Sequence, residues 1–212
     1  EKRYDVNVVA RLNQFKITGD NSIFVHGVHL SDDEIDTIHQ TGTWLTHQPR
    51  SNMNNAVGMA NVEKMVQRGI PICMGNDGFS FSMWDEWRTC YLAHKMWNQD
   101  PRRMGADQVV DIAAYNNARM ATKFFNGKIG VIQEGALADL ILVDYIPITS
   151  IHADNLPWHI IFGFRDSMVT MTMVNGKVLM RDRKLTEINE HEVCEGAQRS
   201  SAAVWERYKK QF

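Results

Sequence analysis

Three stretches decide the fold prediction: FVHGVHLSDDE at residues 24–34, THQPRSN at 46–52 and MGNDG at 74–78. Each lies at the end of a short apolar run, and each is followed along the chain by a helical pattern. The predicted strands are 21–28, 43–47 and 70–75, and the predicted helices are 31–41, 59–68 and 82–97. Three successive strand–helix units predict parallel strands joined by helical crossovers.

The first predicted helix has clear signals at both ends. Ser31 is followed three positions later by Glu34, which is the capping-box pattern, and Gly42 is a stop signal. Two architectures stay open at this point, a doubly wound sheet and a (β/α)8 barrel, because periodicity does not separate them. No glycine-rich dinucleotide fingerprint or phosphate loop follows the strands, which weakens the doubly wound and flavodoxin-like alternatives.

Residue types suited to chemistry recur at the carboxyl ends of the predicted strands. His26 and His29 end the first strand, His47 ends the second, and Asp77 follows the third. Ligand binding and catalysis gather at this edge in parallel α/β folds. Imidazole and carboxylate are also the ligands of hydrolytic zinc sites. We therefore expect His26 and Asp77 to meet at one mouth of the fold.

The second half of the chain has a different character. Residues 107–125 are predicted to be helical, and 127–145 combine strand and turn signals. Within 169–179, Asn175-Gly176 separates two alternating runs, which is typical of a type I′ hairpin. The last predicted element is a terminal helix over 190–212.

Composition excludes several classes of protein. The 212 residues are 44% hydrophobic and 23% charged, which are globular values. The net charge of −2 argues against a nucleic-acid partner, and no apolar run is long enough for a membrane span. The odd set of Cys73, Cys90 and Cys194 fits no disulfide framework, so we expect a reducing, cytoplasmic location.

The helical pattern of apolar residues is already present in the first residues of the sequence, as in the middle of a helix. Residue 1 is Glu1, and Val6, Val9 and Leu12 already follow helical spacing. The stretch has neither a basic nor an apolar signal-peptide region. We expect this chain to be the C-terminal piece of a longer protein.

Four motifs together resemble the amidohydrolase superfamily, in its aminohydrolase and chlorohydrolase group. FVHGVHLSDDE resembles the histidine at the end of barrel strand 6, THQPRSN the loop after strand 7, and MGNDG the aspartate after strand 8. GKIGVIQEGALADLILVD at 127–144 resembles the first β segment after the barrel. Within the group, HQPRSNMNNAVG at 47–58 is similar to the SsnA branch.

The resemblance implies a (β/α)8 barrel with a small β-sandwich lobe. This chain would then hold barrel strands 6–8 in residues 1–125, a segment of the lobe in 126–183 and a helical extension in 184–212. The family's His-x-His after strand 1 and its histidine after strand 5 match no segment of this chain. We therefore expect the isolated chain to retain little tightly bound zinc.

The resemblance also implies roles for individual residues. Asp77 is expected to bind a divalent metal, zinc with iron or manganese as alternatives, and to carry a proton between water and the leaving amine. His26 is expected to hydrogen-bond the reacting oxygen, and His47 and Asn52 to bind substrate. The implied reaction is hydrolysis of a C–N bond on a small amino-substituted heterocycle. Gln48 and Asn76 depart from the residues common in the family and could alter substrate choice.

Other interpretations stay open for these residues. Asp77 could be a turn residue of the Asn-Asp-Gly tripeptide, and His26 a core histidine. Arg50 is expected at the surface rather than on an anionic ligand. The aromatic and methionine residues of 83–97 form a core face or a subunit interface, so self-association stays open, while Phe79, Phe81 or Trp84 could instead line a pocket. The alternative to an enzyme is a non-catalytic scaffold or interaction protein that keeps the fold.

Overall fold

The computed structural model describes residues 6–211, and its first part alternates helices and strands. Its elements are α1 (Val8–Gln14), β1 (Ile23–Val25), α2 (Asp32–Thr41), β2 (Trp44–His47), α3 (Pro49–Asn54), α4 (Val62–Gln67), β3 (Ile72–Met74) and α5 (Met83–Asn98). This order confirms the three predicted strand–helix units. The strands are shorter than predicted, since β1 and β3 have three residues each.

The three strands form one parallel sheet in the order β1–β2–β3. Ile23 pairs with Trp44, and Leu45 pairs with Ile72. The predicted parallel arrangement is confirmed. Residues 6–211 contain no closed barrel, since this sheet is open and has only these three strands. β2 is the central strand, and all four of its residues are buried.

Helix α2 begins and ends as its sequence predicts. The Ser31 hydroxyl accepts from the Glu34 backbone, and the Glu34 carboxylate accepts from the Ser31 backbone, so the capping box is complete. Gly42 ends the helix in the left-handed conformation, with φ of 69°. Glu34 also accepts a 3.2 Å hydrogen bond from the Val9 backbone, which fastens α1 to α2.

The predicted loop after β2 instead contains the short helix α3. Pro49 occupies its first turn, where a proline is tolerated because the missing N–H would have no helical partner. The prediction of an irregular loop was therefore wrong for 49–54. This difference matters because α3 carries several residues of the candidate site.

The predicted helix over 107–125 consists of three continuous pieces. They are α6 (Ala106–Val110), a π-helical turn (Asp111–Tyr115) and α7 (Asn116–Phe124). The Asn117 side chain donates to the Met74 carbonyl and accepts from the Met74 N–H, both at 2.9 Å, and the Asn116 side chain donates to the Ile72 carbonyl at 2.8 Å. These amides occupy backbone groups along one edge of β3, which a sheet edge otherwise leaves unpaired.

The core of the first part lies between the sheet and its helices. Leu45 and Ile72 of the sheet and Ile38 of α2 are completely buried. Helix α8 (Leu156–Gly163), which was not predicted from the sequence, adds the buried Ile161. The Arg88 guanidinium of α5 donates to the carbonyls of Ile161 and Phe164, which holds α8 against α5.

The chain divides into two compact units. The first unit consists of the chain up to Ala136 together with Tyr145–Asp166. The second consists of Leu137–Asp144 together with the chain from Ser167 onward. The second unit contains β4 (Leu140–Val143), β5 (Val169–Val174), β6 (Lys177–Arg181), β7 (Lys184–Leu185) and α9 (Glu190–Lys209). Its four strands pair antiparallel in chain order.

The predicted hairpin of the second unit is present between β5 and β6. Asn175 and Gly176 have φ angles of 47° and 79°, which are the positive values of a type I′ turn. The predicted terminal helix is confirmed as α9. The strand predicted within 127–145 is limited to β4. None of the helices described within 6–211 combines the length and the apolar character needed to cross a membrane.

Candidate active site

His26 and Asp77 lie side by side at the carboxyl ends of the outer strands. His26 directly follows β1, and Asp77 comes three residues after β3. The His26 Nε2 atom is 3.6 Å from Asp77 Oδ2. About 40% of the His26 side chain and 45% of the Asp77 side chain is exposed, so both are open to a ligand. The expected meeting of the two residues is confirmed, while their catalytic roles stay predictions.

Both residues have an unusual backbone conformation. The φ angles are 68° for His26 and 48° for Asp77, in the left-handed region that residues with a Cβ rarely occupy. Such a residue costs about 1–3 kcal/mol, and such residues cluster at functional sites. The two turns direct both side chains to the same place at the end of the sheet.

The His26 ring is held by residues that follow β2. Asn52 Oδ1 lies 2.9 Å from His26 Nδ1, and as an amide oxygen it accepts, so Nδ1 donates. Gln48 Oε1 accepts a 3.0 Å hydrogen bond from the His26 backbone N–H. These two contacts leave Nε2 as the ring atom that faces Asp77. Gln48, which departs from the family pattern, thus holds the His26 backbone.

The Asp77 carboxylate is held by the same helix. The Ser51 hydroxyl donates a 2.6 Å hydrogen bond to Asp77 Oδ2. Ser51 and Asn52 are both buried neighbours on α3. One turn of helix therefore orients both Asp77 and His26, as a catalytic pair would require. Asn52 holds the His26 ring, and the substrate contact predicted for Asn52 has no support from its burial.

Arg50 fastens α3 to the chain after Asp77. Its guanidinium pairs with the completely buried Glu86 carboxylate of α5, and the Arg50 N–H donates to the same carboxylate at 2.9 Å. The guanidinium also donates to the Ser80 hydroxyl and carbonyl and to the Ser82 carbonyl, each at 3.0 Å. Arg50 is therefore a structural link, and the expectation of a surface arginine was wrong.

The structure places His47 in the interior. Its ring is fully buried, and its Nε2 lies 3.1 Å from Nε2 of the buried His94 on α5. Burial lowers the pKa of His47 to about 3, with the His94 and His26 rings adding to the effect. The substrate contact predicted for His47 therefore stays a prediction without support from this arrangement.

The remaining candidates have minor roles at this edge. His29 is exposed, and the Phe81 side chain is 98% exposed. The Phe79 ring lies against the Arg50 guanidinium, with 5.5 Å between the guanidinium carbon and the ring centroid. The Asn76 amide donates to the carbonyls of Phe79 and Ser80, so it shapes the loop after Asp77.

Two residues important to this arrangement were not identified from the sequence. Glu86 anchors Arg50, and its only sequence signal is an acidic residue on the mostly apolar inner face of a predicted helix. His94 was not singled out from the sequence, and its pairing with His47 depends on the packing of α5 against β2. Neither contact has a local pattern, because the partners are far apart in the sequence.

The His26–Asp77 pair contains residue types that can bind a metal. A carboxylate and an imidazole 3.6 Å apart are ligand types that zinc accepts. Among residues 6–211, no group of three His, Cys, Asp or Glu ligand atoms converges on Asp77. The His26–Asp77 pair by itself therefore offers at most two ligands to a metal ion.

Comparison with known proteins gives a family match over most of the chain. The model described as "Amidohydrolase family" matches residues 5–179. A 5'-deoxyadenosine deaminase of Methanosarcina mazei is 31% identical over 205 residues, which are 95% of this chain and 46% of that protein. A 5-methylthioadenosine/S-adenosylhomocysteine deaminase of Haloarcula marismortui is 35% identical over 195 residues, covering 90% of this chain and 44% of that protein.

Solved structures share this fold. An adenosine deaminase from Xanthomonas campestris with bound zinc superposes with a TM-score of 0.84 at 24% identity, over 96% of this chain and 47% of that chain. The atrazine chlorohydrolase TrzN from Arthrobacter aurescens, complexed with zinc, gives a TM-score of 0.77 at 19% identity, over 93% and 44% of the two chains. This chain spans about half the length of the relatives that it matches.

Proposed function

Because this chain belongs to the amidohydrolase family, we propose that the protein containing it is a metal-dependent hydrolase of non-peptide C–N bonds. The proposed reaction is hydrolytic deamination of an amino-substituted heterocycle. The observation that carries the proposal is the His26–Asp77 pair, 3.6 Å apart and accessible at the carboxyl edge of the parallel sheet. Ligand binding and catalysis belong to this edge in parallel α/β folds.

In the proposed mechanism, Asp77 moves the proton. Its carboxylate accepts a proton from the attacking water and delivers it to the departing amine nitrogen, as a general base and then a general acid. Ser51 holds Oδ2 during this transfer through its 2.6 Å hydrogen bond. A half-exposed carboxylate, held from one side by the buried Ser51 hydroxyl, is suited to this role because its geometry is set before substrate binds.

His26 is proposed to act on the oxygen that adds to the ring carbon. With Nδ1–H donated to Asn52, Nε2 is the ring atom free to exchange a proton with Asp77 or to hydrogen-bond the reacting oxygen. Once Nε2 also carries a proton it can donate to the developing oxyanion, and a preorganised donor of this kind contributes about 3–4 kcal/mol of transition-state stabilisation. Asn52 and Gln48 keep the ring and backbone of His26 in this orientation.

The proposed cofactor is a divalent metal, with zinc first and iron or manganese as alternatives. When bound, such a metal lowers the pKa of water enough to supply a nucleophile at neutral pH. Asp77 is the residue proposed to bind it, and the other ligands must come from elsewhere in the protein. Two structural neighbours, the Xanthomonas campestris adenosine deaminase and TrzN, hold bound zinc, which supports this choice of metal.

The proposed substrate class is an aminopurine nucleoside altered at its 5' position. The names of the matched relatives, 5'-deoxyadenosine deaminase and 5-methylthioadenosine/S-adenosylhomocysteine deaminase, support this choice. The reaction exchanges the exocyclic amino group for an oxygen of water and releases ammonia. The proposed partner is therefore a small molecule, and neither a nucleic acid nor a membrane is proposed as a partner.

We also propose the wider architecture that the motifs predict. The three parallel strands would be strands 6–8 of a (β/α)8 barrel within residues 1–125, followed by part of a β-sandwich lobe in 126–183 and a helical extension in 184–212. Structural neighbours that share the fold over more than nine-tenths of this chain support the arrangement. The cytoplasmic location and the question of self-association stay predictions, as does the resemblance to the SsnA branch.

The test is an ammonia-release assay on the metal-replete, full-length protein. Substrates should include 5'-deoxyadenosine, 5'-methylthioadenosine, guanine and an aminotriazine. We expect turnover of at least one aminopurine nucleoside and loss of that turnover in Asp77→Asn and in His26→Ala. Asp36→Asn is the matched control, because Asp36 forms an exposed ion pair with Arg68 on the helical side of the first unit.

Circular dichroism and thermal melting should show that both site variants keep the fold. Wild-type turnover in a folded Asp77→Asn protein would refute the catalytic assignment. A wild-type protein that binds metal and folds, but releases no ammonia from any substrate of the panel, would instead favour the scaffold alternative.

A further inference from the structure

A second cluster of metal-ligating side chains lies in the interior of the first unit. His47, Cys90 and His94 each offer one ligand atom, and these atoms all lie within 4.8 Å of one another. All three residues are buried, with exposures of 0%, 0% and 2%. They form a closed group, which we call the His–Cys–His cluster.

The fold brings these residues together through two elements. Cys90 and His94 are four residues apart on α5, so both face the same side of the helix. His47 ends β2, the central strand of the sheet, and its ring faces α5. The i, i+4 spacing on a helix is one that metal sites use repeatedly.

The distances within the cluster are near those of a zinc site. Zn–N bonds of about 2.0–2.1 Å in a tetrahedral site place two nitrogen ligands roughly 3.3 Å apart. The His47 and His94 Nε2 atoms are 3.1 Å apart. The Cys90 sulfur lies within 4.8 Å of the ring nitrogens, and a Zn–S bond of about 2.3 Å would place it roughly 3.6 Å from each of them.

The histidine pair is compact and buried. In the metal-free pair one Nε2 donates to the other at 3.1 Å, and His47 Nδ1 is buried with no partner among residues 6–211 whether or not Nε2 binds a metal. Burial lowers the pKa of His47 to about 3 and that of His94 to about 4. Both rings are therefore neutral at physiological pH and hold the lone pairs that a metal needs.

We propose that the His–Cys–His cluster binds one zinc-class transition-metal ion and so joins α5 to the end of β2, which would reverse the expectation that this chain alone retains little zinc. The two imidazole nitrogens and the Cys90 sulfur are the protein ligands, which is a combination that zinc accepts. On binding, the Cys90 thiol releases its proton to solvent and binds as a thiolate. A fourth coordination position is left for water or another small ligand.

The proposed metal site is linked to the candidate active site by the segment that follows His47. His47 is followed directly by Gln48, whose side chain holds the His26 backbone, and then by α3 with Ser51 and Asn52. A metal that fixes the His47 ring would therefore stiffen the start of this segment. The proposal does not depend on the proposed hydrolase activity, since none of its ligands takes part in that chemistry.

The experiment uses Co²⁺ as a spectroscopic probe for zinc. Metal-free protein is titrated with Co²⁺ in the Asp77→Asn background, which removes the candidate catalytic metal ligand. We expect one equivalent to produce a near-ultraviolet thiolate-to-cobalt band together with the intense visible bands of tetrahedral Co²⁺. The thiolate band should disappear in Cys90→Ser. In His94→Gln the apparent affinity for Co²⁺, measured from the same band, should fall at least tenfold.

The matched control is Cys194→Ser, because Cys194 is exposed on α9 and lies outside the cluster. It should keep the complete band. Absence of a thiolate band in folded protein, or a band that survives Cys90→Ser and is lost in Cys194→Ser, would overturn the proposal.

A second measurement avoids the risk that the variants fail to fold. Zn²⁺ should slow the alkylation of Cys90 in wild-type protein by at least tenfold, measured by peptide mass spectrometry under mildly denaturing conditions. Cys73 is the internal control, because it is equally buried, on β3, and is not part of the cluster. Equal protection of both cysteines by Zn²⁺ would reflect general stabilisation and would count against a site at Cys90.

Discussion

His26 Nε2 lies 3.6 Å from Asp77 Oδ2, although the two residues are separated by two strand–helix units in the chain. The contact forms because β1 and β3 run parallel on either side of β2, so their carboxyl ends open at the same edge. Helix α3, which follows β2, then supplies Asn52 to the imidazole and Ser51 to the carboxylate. Three consecutive strand ends thus contribute to one site.

Removal of the Ser51 hydroxyl should reduce activity without loss of the fold. Ser51→Ala leaves Asp77 Oδ2 without its 2.6 Å hydrogen bond, and a hydrogen bond to a charged group contributes about 1.5–3 kcal/mol. We expect kcat/KM of the full-length protein to fall about 10–100-fold, measured as ammonia release. Ser51→Thr keeps a hydroxyl and should recover most of the activity. Equal losses in both variants would show that packing, rather than the hydrogen bond, is the role of Ser51.

Loss of the Arg50 side chain should destabilise the first unit. Arg50→Ala leaves the completely buried Glu86 carboxylate without its counter-charge, and breaking a buried pair from one side costs about 3–5 kcal/mol. The free energy of unfolding, from denaturant titration, should fall by that amount. In the double variant Arg50→Ala/Glu86→Gln the buried charge is gone, so a substantial part of the loss should be recovered. A double variant no more stable than Arg50→Ala would contradict this account.

The buried histidine pair should make the protein sensitive to acid. Folding lowers the pKa of His47 to about 3 and that of His94 to about 4, mainly through burial, whereas an unfolded histidine titrates near about 6.5. Below that pH the unfolded chain binds more protons than the folded one. The free energy of unfolding therefore keeps its full value above about pH 6.5 and falls as the pH drops toward 4. Each histidine contributes a slope of up to about 1.4 kcal/mol per pH unit.

Denaturant titrations of metal-free protein at several pH values between 7 and 4.5 should measure this slope. Carboxylates contribute to the same pH range, so the comparison is between wild type and His94→Gln, which has one buried histidine fewer. We expect the variant to lose stability less steeply by about 1 kcal/mol per pH unit. Identical slopes would show that His94 becomes protonated without unfolding.

Two glycines that follow the site residues should respond differently to substitution. Gly27 and Gly78 have φ angles of 61° and 77°, so an alanine at either position is strained by about 1 kcal/mol. At Gly27 the added Cβ would also lie 2.9 Å from Leu45 Cδ1, whereas at Gly78 it would meet no atom within 4 Å. We expect Gly27→Ala to lower the unfolding free energy by at least about 1 kcal/mol more than Gly78→Ala. Equal effects in denaturant titrations would mean that Leu45 adapts without cost.

Local patterns predicted the elements that depend on neighbouring residues. The capping box of α2 and the Asn175-Gly176 turn are present because both need only contacts between residues a few positions apart. The contents of the segment after β2 were predicted less well. Its proline, serine and asparagines favour turns, but Pro49 also suits a first helical turn, and the buried Glu86 carboxylate accepts the Arg50 N–H at the start of α3. Glu86 is 36 residues away from Arg50 in the sequence, so no pattern of neighbouring residues could indicate this contact.

The spacing of apolar residues predicts the alternation of strands and helices. The sequence by itself therefore determined which residue types lie at the ends of the strands. It also determined that His26 and Asp77 share one edge, since parallel strands must end on the same side. Only the tertiary structure decided which strand-end side chains are accessible. His26 follows an outer strand and stays half exposed, whereas His47 ends a central strand that is buried along its whole length and faces His94 on α5.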